Sequence, residues 1–164
     1  MIEVRPKTMA AASEDDLNGI SAYRAYLDAW SRPGRGHAAA AARFFSPTAI
    51  INVCHPFNMI QGVDAYLDRF LRSLQRSFES LHRRDEIVLS GQSGGMDWVS
   101  STGYLVGNFI QDWLGIRADG ELAYVRFGEF HRMQNGRAVE SYIFLDIPEL
   151  MIARGSGLSE AVRV

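Results

Sequence analysis

Apolar and polar residues alternate on both sides of the dipeptide Asn135-Gly136. The flanking segments, 121–133 and 137–146, are rich in the β-branched and aromatic residues that favour strands. Asn-Gly between such segments is a strong hairpin signal, because both central residues of a type I′ turn need positive φ. The sequence therefore predicts a β-hairpin, with either a two-residue turn or a three-residue loop whose bulge at Gly136 slips the register.

The two-residue turn pairs Gln134 with Arg137 and so decides which hairpin side chains share a face. On this register one face carries Val125, Phe127, Glu129, His131, Glu140, Tyr142, Phe144 and Asp146. The opposite face carries Tyr124, Arg126, Phe130, Val139, Ile143 and Leu145. That opposite face is too apolar for a free sheet surface, which predicts a two-fold homodimer covering it.

A continuous apolar stripe at helical spacing predicts a long helix over 62–81. Two acidic residues lie in its first turns and two arginines lie later, the order that the helix dipole favours. We expect the stripe to be buried against the concave side of a sheet. Its members are Val63, Tyr66, Leu67, Phe70, Leu71, Leu74, Phe78 and Leu81.

Two further helices are predicted ahead of the long one, at 13–30 with Ser13 as N-cap and at 37–45. Strands are predicted at 49–54, 84–89 and 96–109, a loop at 112–120, and a terminal helical turn at 147–153 with Pro148 near its start. Segregated helices and strands indicate an α+β fold, with helices on one face of an antiparallel sheet. A long helix against a bent sheet leaves an apolar cone, which is a default small-molecule site.

Length and composition describe an ordinary globular protein. The 164 residues predict one domain, 13–155, with a loose arm at 1–12 and a tail at 156–164. The net charge of −2, without a run of Lys or Arg, argues against a nucleic-acid partner. The single cysteine, Cys54, excludes an internal disulfide and favours a cytoplasmic location. No signal peptide and no membrane-spanning run is predicted.

The sequence offers no motif for a metal or a cofactor, and we expect neither. The four histidines are scattered without the spacing of a metal site. The glycine-rich segment 91–95 lacks the pattern of a phosphate loop and is followed by a predicted strand.

Five short motifs lie in a fixed order along the chain: Gly62-Val63-Asp64-Ala65, Thr102-Gly103-Tyr104-Leu105-Val106-Gly107, Trp113-Leu114-Gly115-Ile116, Asn135-Gly136-Arg137-Ala138-Val139-Glu140, and Leu145-Asp146-Ile147-Pro148-Glu149-Leu150-Met151. Through these motifs, residues 16–155 resemble the SnoaL-like polyketide cyclases of the NTF2-like superfamily. The resemblance implies a strongly curved, mostly antiparallel sheet wrapped around a long helix, with a pocket for a small apolar or polyketide-like ligand.

In that family the aspartate that closes the final strand is the general acid/base of an intramolecular aldol closure, a role that would fall on Asp146. The chain also departs from the family pattern. Tyr104 takes the place of a common histidine, and the loop 115–120 lacks the family's two prolines. Many domains of the superfamily only bind ligands.

The candidate catalytic residues are Asp146, Tyr104, His55 and His131, and each has a structural alternative. Asp146 is either an acid/base or the N-cap of the terminal helix. His131 is either an acid/base partner or one half of a cross-strand pair with Glu140. The predicted substrate-binding residues are Met59, Phe70, Trp113, Phe127, Tyr142 and Phe144.

Two functions follow, and the sequence leaves open whether the protein is an enzyme. The first is cofactor-free acid/base catalysis on a cyclic carbonyl compound, by aldol closure, isomerisation or dehydration. The second is a binding module that holds an apolar cyclic ligand without turnover. Convergence of Tyr104 or His55 on Asp146 favours catalysis, whereas an Asp146 that only caps the last helix favours binding.

Overall fold

The computed structural model describes residues 14–33 and 36–155. The predicted arm, the N-cap Ser13 and the tail therefore lie outside the described residues. The described residues contain four helical segments: α1 (Glu14–Trp30), α2 (His37–Phe44), the long helix and α5 (Ile147–Ala153). The long helix consists of α3 (Val63–Tyr66), a π-helical turn (Leu67–Leu71) and α4 (Arg72–Ser77).

The strands are β1 (Phe45–Val53), β2 (Asn58–Gln61), β3 (Phe78–Ser93), β4 (Met96–Phe109), β5 (Leu122–Gln134) and β6 (Arg137–Leu145). They form one curved, unclosed sheet in the order β2-β1-β6-β5-β4-β3. Only β1 and β6 run parallel; the other neighbouring strands of this described sheet are antiparallel. The α+β fold class with a mostly antiparallel sheet is confirmed.

We call the sheet face that packs against the helices the inner face, and the opposite one the outer face. The predicted helical stripe is buried on the inner face, as expected, except for the half-buried Leu67. The long helix ends at Ser77 rather than at Leu81, because Phe78 already begins β3. A shift in the β3–β4 register, with positive φ at Ser80, lets both Phe78 and Leu81 stay buried across this change.

The glycines of the Thr-Gly-x-x-x-Gly motif allow β4 to approach β3 closely. A Cβ atom at Gly103 would collide with the backbone carbonyl of Arg84, and one at Gly107 would crowd the carbonyl of Glu79. Glycine is therefore required at both positions of this strand.

The hairpin turn was predicted correctly, but the register beyond it was wrong. Gln134 pairs with Arg137, and both turn residues have positive φ. Arg132 then pairs with Glu140 while Met133 pairs with Ala138, so Val139 is an extra residue in β6. Such a bulge moves every later side chain of the strand to the other face.

The bulge places Ile143 and Leu145 on the inner face and leaves Tyr142 and Phe144 exposed on the outer face. The prediction that Tyr142 and Phe144 line a ligand pocket is therefore wrong. His131 faces Ser141 rather than Glu140, so the predicted cross-strand pair with Glu140 is also wrong.

Candidate functional site

One largely apolar pocket opens where β1 and β6 end. Its volume is about 320 Å³, at the lower end of the range of about 300–1,000 Å³ for small-molecule sites. We call it the mouth pocket. It is lined by Cys54, His55, Pro56, Leu114, Leu145, Ile147, Pro148 and Met151.

Because β1 and β6 pair in parallel, the residues at their C-terminal ends lie side by side and form one wall of the pocket. Cys54 N–H donates to the Ile143 carbonyl over 2.9 Å, and the Cys54 thiol donates weakly to the Leu145 carbonyl over 3.9 Å. Helix α5 follows β6 after a single residue, so Ile147 and Met151 reach the same pocket. His55 is exposed at its rim.

The loop between β4 and β5 supplies the remaining wall through Leu114. Two backbone hydrogen bonds join Trp113 to Ile116, with N–O distances of 3.1 and 2.9 Å. Trp113 is buried between Phe57 and Phe78, and its Nε1 donates to Ser73 Oγ over 3.3 Å. Trp113 therefore anchors the loop and does not itself line the pocket.

Asp146 is the N-cap of α5, which is the structural alternative that the sequence left open. Its Oδ1 accepts a hydrogen bond from Glu149 N–H over 3.0 Å, and its own N–H donates to the Arg126 carbonyl. Its two neighbours, Leu145 and Ile147, line the mouth pocket, and Asp146 is half-buried. This cap starts the helix immediately before Pro148.

Of the two residues considered for convergence on Asp146, His55 lies at the mouth pocket and Tyr104 does not. The ring of Tyr104 lies on the outer face, where it meets Tyr124 edge-on at a centroid distance of 6.2 Å. The guanidinium of Arg126 lies 5.0 Å from the centre of the same ring. Alternation along β4 directs Tyr104 outwards because its neighbours Gly103 and Leu105 are buried on the inner side.

The other predicted substrate-binding residues are dispersed. Met59 is 62% exposed on the short strand β2 and does not line the mouth pocket. Phe70 and Phe127 line a second cavity between the long helix and the sheet. This interior cavity has a volume of about 20 Å³, roughly the room that one water molecule needs.

The interior cavity borders a group of polar side chains that we call the charged cluster, all buried except the partly exposed Asp85: Tyr23, Arg83, Asp85, Ser101, Glu129, His131 and Ser141. Arg83 donates to Glu129 Oε1 over 2.8 Å and to both oxygens of Asp85 over 2.7 and 3.1 Å. Leu145 lines both the interior cavity and the mouth pocket.

Further hydrogen bonds complete the charged cluster. Tyr23 donates its hydroxyl hydrogen to Glu129 Oε1 over 2.6 Å, and the Ser101 hydroxyl donates to Asp85. His131 Nδ1 lies 2.8 Å from Ser141 Oγ. Its Nε2 lies 3.2 Å from Glu129 Oε1, close enough for an electrostatic contact but outside hydrogen-bonding geometry.

The cluster fixes the charge of its members. Burial acts to raise the pKa of Glu129, but Arg83 and His131 hold it well below its usual range. Burial acts to lower the pKa of Arg83, and the neighbouring carboxylates and phenols hold it above its usual value. Burial and the Glu129 carboxylate both raise the pKa of Tyr23 far above its usual value. Glu129 and Arg83 therefore stay ionised and Tyr23 stays neutral over the ordinary pH range.

His131, a predicted catalytic residue, belongs to this cluster and not to the mouth pocket. Its side chain is fully buried, and its ring packs at 5.0–5.7 Å from the rings of Tyr23, Phe44 and Phe45. One sign of the cluster was visible in the sequence, because Glu129 and His131 share the face of their strand with the apolar residues Val125 and Phe127. The sequence did not reveal Arg83 and Asp85, which come from a distant strand.

The described part of the chain contains neither a group of metal ligands nor a helix that could span a membrane. Among residues 14–33 and 36–155, no three His, Cys, Asp or Glu side chains gather as metal ligands. The helices within these residues are all too short or too polar to cross a membrane.

Known proteins resemble this chain in structure rather than in sequence. No family model and no curated protein matches it. A candidate SnoaL-like polyketide cyclase from Jannaschia sp. CCS1 has a TM-score of 0.70 at 18% identity, covering 93% of this chain and 99% of its own. The candidate polyketide cyclase IdmH from Streptomyces antibioticus has a TM-score of 0.65 at 17% identity, covering 83% and 96%.

A third solved structure, which is not described as a polyketide cyclase, has the same fold. It is a protein with a ketosteroid isomerase-like fold from Catenulispora acidiphila DSM 44928, in complex with trimethylamine. Its TM-score is 0.61 at 13% identity, covering 83% of this chain and 93% of its own. The chain therefore has the NTF2-like fold, which it shares with these SnoaL-like and ketosteroid isomerase-like structures.

Proposed function

We propose that this protein binds a small, largely apolar cyclic carbonyl compound in the mouth pocket. The observation that carries the proposal is the pocket itself, about 320 Å³ of mostly apolar surface at the open end of the cone. The carbonyl class is suggested by the structural neighbours, several of which are candidate polyketide cyclases.

The walls of the mouth pocket suit such a ligand. Leu114, Leu145, Ile147 and Met151 offer apolar surface, and each buried CH₂ group of a ligand contributes about 0.8 kcal/mol. His55 and the Cys54 thiol offer polar atoms at one side. A few polar groups within apolar walls orient a ligand without strong charge, as in many small-molecule sites.

Binding without turnover is the better supported of the two functions that the sequence allowed. The Asp146 carboxylate is committed through Oδ1 to the cap of α5, and Tyr104 lies on the outer face. His131 and Glu129 are paired within the charged cluster. Asp146, Tyr104 and His131 therefore do not converge on one point in the mouth pocket, as acid/base catalysis by them would require.

Acid/base catalysis is the second candidate, and one observation favours it. His55 is an exposed histidine on the pocket rim, and histidine is the commonest general acid/base. Asp146 lies next to two lining residues, and none of the described residues donates a hydrogen bond to its Oδ2. In this version His55 and Asp146 move a proton at the carbon beside the ligand carbonyl, with no cofactor.

Cys54 provides a direct test of binding because it lines the pocket and is the only cysteine in the sequence. A bound ring should shield the thiol from iodoacetamide, which intact-mass spectrometry measures. We expect saturating 1-tetralone, a two-ring ketone, to slow alkylation about tenfold or more, equivalent to about 1.4 kcal/mol of protection. An unchanged rate across a series of cyclic ketones would contradict the proposal.

Two variants of α5 show whether the protection comes from this pocket. Met151→Trp fills the pocket and should abolish the effect of the ketone on the alkylation rate. Ile152→Trp is the matched control, because the neighbouring Ile152 is exposed and does not line the pocket. It should behave like the parent protein.

Turnover is tested by deuterium incorporation at the carbon beside the ketone in D₂O, followed by NMR. If His55 and Asp146 act as acid and base, His55→Gln and Asp146→Asn should each slow the exchange about 10²–10⁴-fold. Exchange at the uncatalysed rate in the parent protein would leave ligand binding as the function.

We also propose a two-fold homodimer through the outer face, with a different set of residues from those that the sequence suggested. Ile143 and Leu145 are buried on the inner face. The outer face instead exposes about half of Tyr124, Phe130 and Phe144, together with part of Tyr142. Exposed aromatic residues grouped on one sheet face are typical of a protein contact.

A further inference from the structure

Two turns of this protein share a backbone conformation but differ in sequence. Asn135 and Gly136 have φ values of 51° and 70° and join β5 to β6. Leu114 and Gly115 have φ values of 53° and 77° between the paired residues Trp113 and Ile116. Both are two-residue turns in which both central residues have positive φ, as type I′ turns require.

The first turn uses residues that tolerate this conformation, and the second does not. Asparagine and glycine enter the left-handed region readily, whereas a bulky apolar side chain is an outlier there. Leucine at position 114 is therefore an unfavourable choice for the turn. Contacts of the side chain must offset this cost.

The Leu114 side chain is a wall of the mouth pocket. It is half-buried and shares the pocket with Ile147, Pro148 and Met151 of α5. The turn that carries it is held on both sides, because Trp113 and Ile116 are buried in the core. The leucine is thus fixed over the pocket by a turn whose backbone would accept a smaller residue more easily.

We infer that Leu114 is a specificity-determining residue that limits the size of the ring system the mouth pocket accepts. This inference rests on the proposed binding function. Leu114 is only partly packed against the core, and the strain of its turn offsets what that packing contributes to stability. Removing Leu114 should therefore change ligand preference more than stability.

The test compares a two-ring ketone, 1-tetralone, with a three-ring ketone, anthrone, by protection of Cys54 from iodoacetamide. In Leu114→Asn and Leu114→Gly the residue at position 114 tolerates positive φ, and the apolar side chain that lines the pocket is removed. We expect the preference for anthrone over 1-tetralone to rise about tenfold or more relative to the parent, the usual scale for a changed apolar contact. The melting temperature should stay within about 3 °C.

Met151→Ala is the matched control. It enlarges the same pocket from a residue with an ordinary helical backbone, so it should also favour anthrone. It removes a well-packed side chain and should lower the melting temperature by about 5 °C or more. Comparison of the two sites separates ligand selection from core packing.

Two results would overturn the inference, and they are distinguishable. If the parent protects Cys54 but both Leu114 variants keep the parent's preference between the ketones, Leu114 does not set specificity and the binding function stands. If neither ketone protects Cys54 in the parent, the binding function fails, and the inference fails with it.

Discussion

The charged cluster and the mouth pocket lie beside the same leucine, Leu145, and differ in almost every physical respect. The charged cluster holds ionised groups in a volume with room for about one water molecule. The mouth pocket has a volume of about 320 Å³ and few polar atoms. Buried charge alone therefore does not identify a functional site in this protein.

The difference lies in whether the polar groups already have partners. Glu129 accepts hydrogen bonds from Tyr23 and Arg83, and Asp85 accepts from Arg83 and Ser101. A carboxylate with so low a pKa is a weak base near neutral pH, and little room remains for a substrate. Changes in the charged cluster should therefore alter stability, and changes in the mouth pocket should alter binding.

The largest effect is expected from Arg83→Met. The substitution leaves the buried carboxylates of Glu129 and Asp85 without their shared cation. Removing one partner of a buried ion pair costs about 3–5 kcal/mol of unfolding free energy, measured by urea denaturation. Arg84→Met is the matched control, because Arg84 is the next residue of β3 and is exposed. Equal stability of the two variants would show that the cluster is not structural.

The loss of unfolding free energy at acidic pH should depend on Glu129. Its pKa is lowered in the folded protein, so its stabilising effect is complete above its ordinary pKa of about 4.5 and is lost as the pH falls below that value. We expect this one group to contribute a decline of about 1.4 kcal/mol per pH unit there.

The control for the pH dependence is Glu129→Gln, which keeps the shape of the side chain without its charge. This variant should be less stable near neutral pH but should lose less stability on acidification. A parallel acid decline in the two proteins would assign the decline to other carboxylates and remove Glu129 from the account.

Substitutions on the outer face should change association, unlike those in the charged cluster or the mouth pocket. Phe144→Glu places a charge on an exposed aromatic position of β6, and it should weaken a homodimer by about 1–3 kcal/mol without unfolding the monomer. Sedimentation velocity at micromolar concentration measures the shift towards monomer. Ile152→Glu, on the exposed side of α5, should leave the association unchanged. A monomeric parent protein would contradict the proposed dimer.

The smallest effect is expected at Asp146. Asparagine caps helices nearly as well as aspartate, so Asp146→Asn should change the unfolding free energy by only a few tenths of a kcal/mol. Asp146→Ala removes the hydrogen bond to Glu149 N–H and should cost about 1 kcal/mol. An Asn variant as damaged as the Ala variant would show that the cap depends on the charge of the aspartate.

Long, regular patterns in the sequence were sufficient to predict much of the fold. Strand β4 and helix α5 have the bounds that the sequence predicted, Met96–Phe109 and Ile147–Ala153. The turn residues at 91–95 mark the start of β4, and a capping aspartate before Pro148 identifies α5. The buried stripe of the long helix likewise follows from its spacing alone.

The site was less accessible to sequence reasoning because it depends on pairings between distant segments. No glycine or proline marks the bulge at Val139, yet it reverses the faces of Tyr142, Phe144 and Leu145. Strand β1 pairs in parallel with β6, and this non-local contact places Cys54 and His55 beside α5. Arg83 and Glu129 meet across strands that are distant in sequence.

The central claim, that the mouth pocket binds the ligand, is tested most directly by methyl NMR. The described methionines report on different regions: Met151 lines the mouth pocket, Met133 is buried on the inner face, and Met59 and Met96 are exposed on strands. With ¹³C-methyl-methionine protein and 1-tetralone, only the Met151 resonance, assigned through Met151→Leu, should shift on titration. A saturable shift of Met133, Met59 or Met96 with Met151 unmoved would contradict the claim.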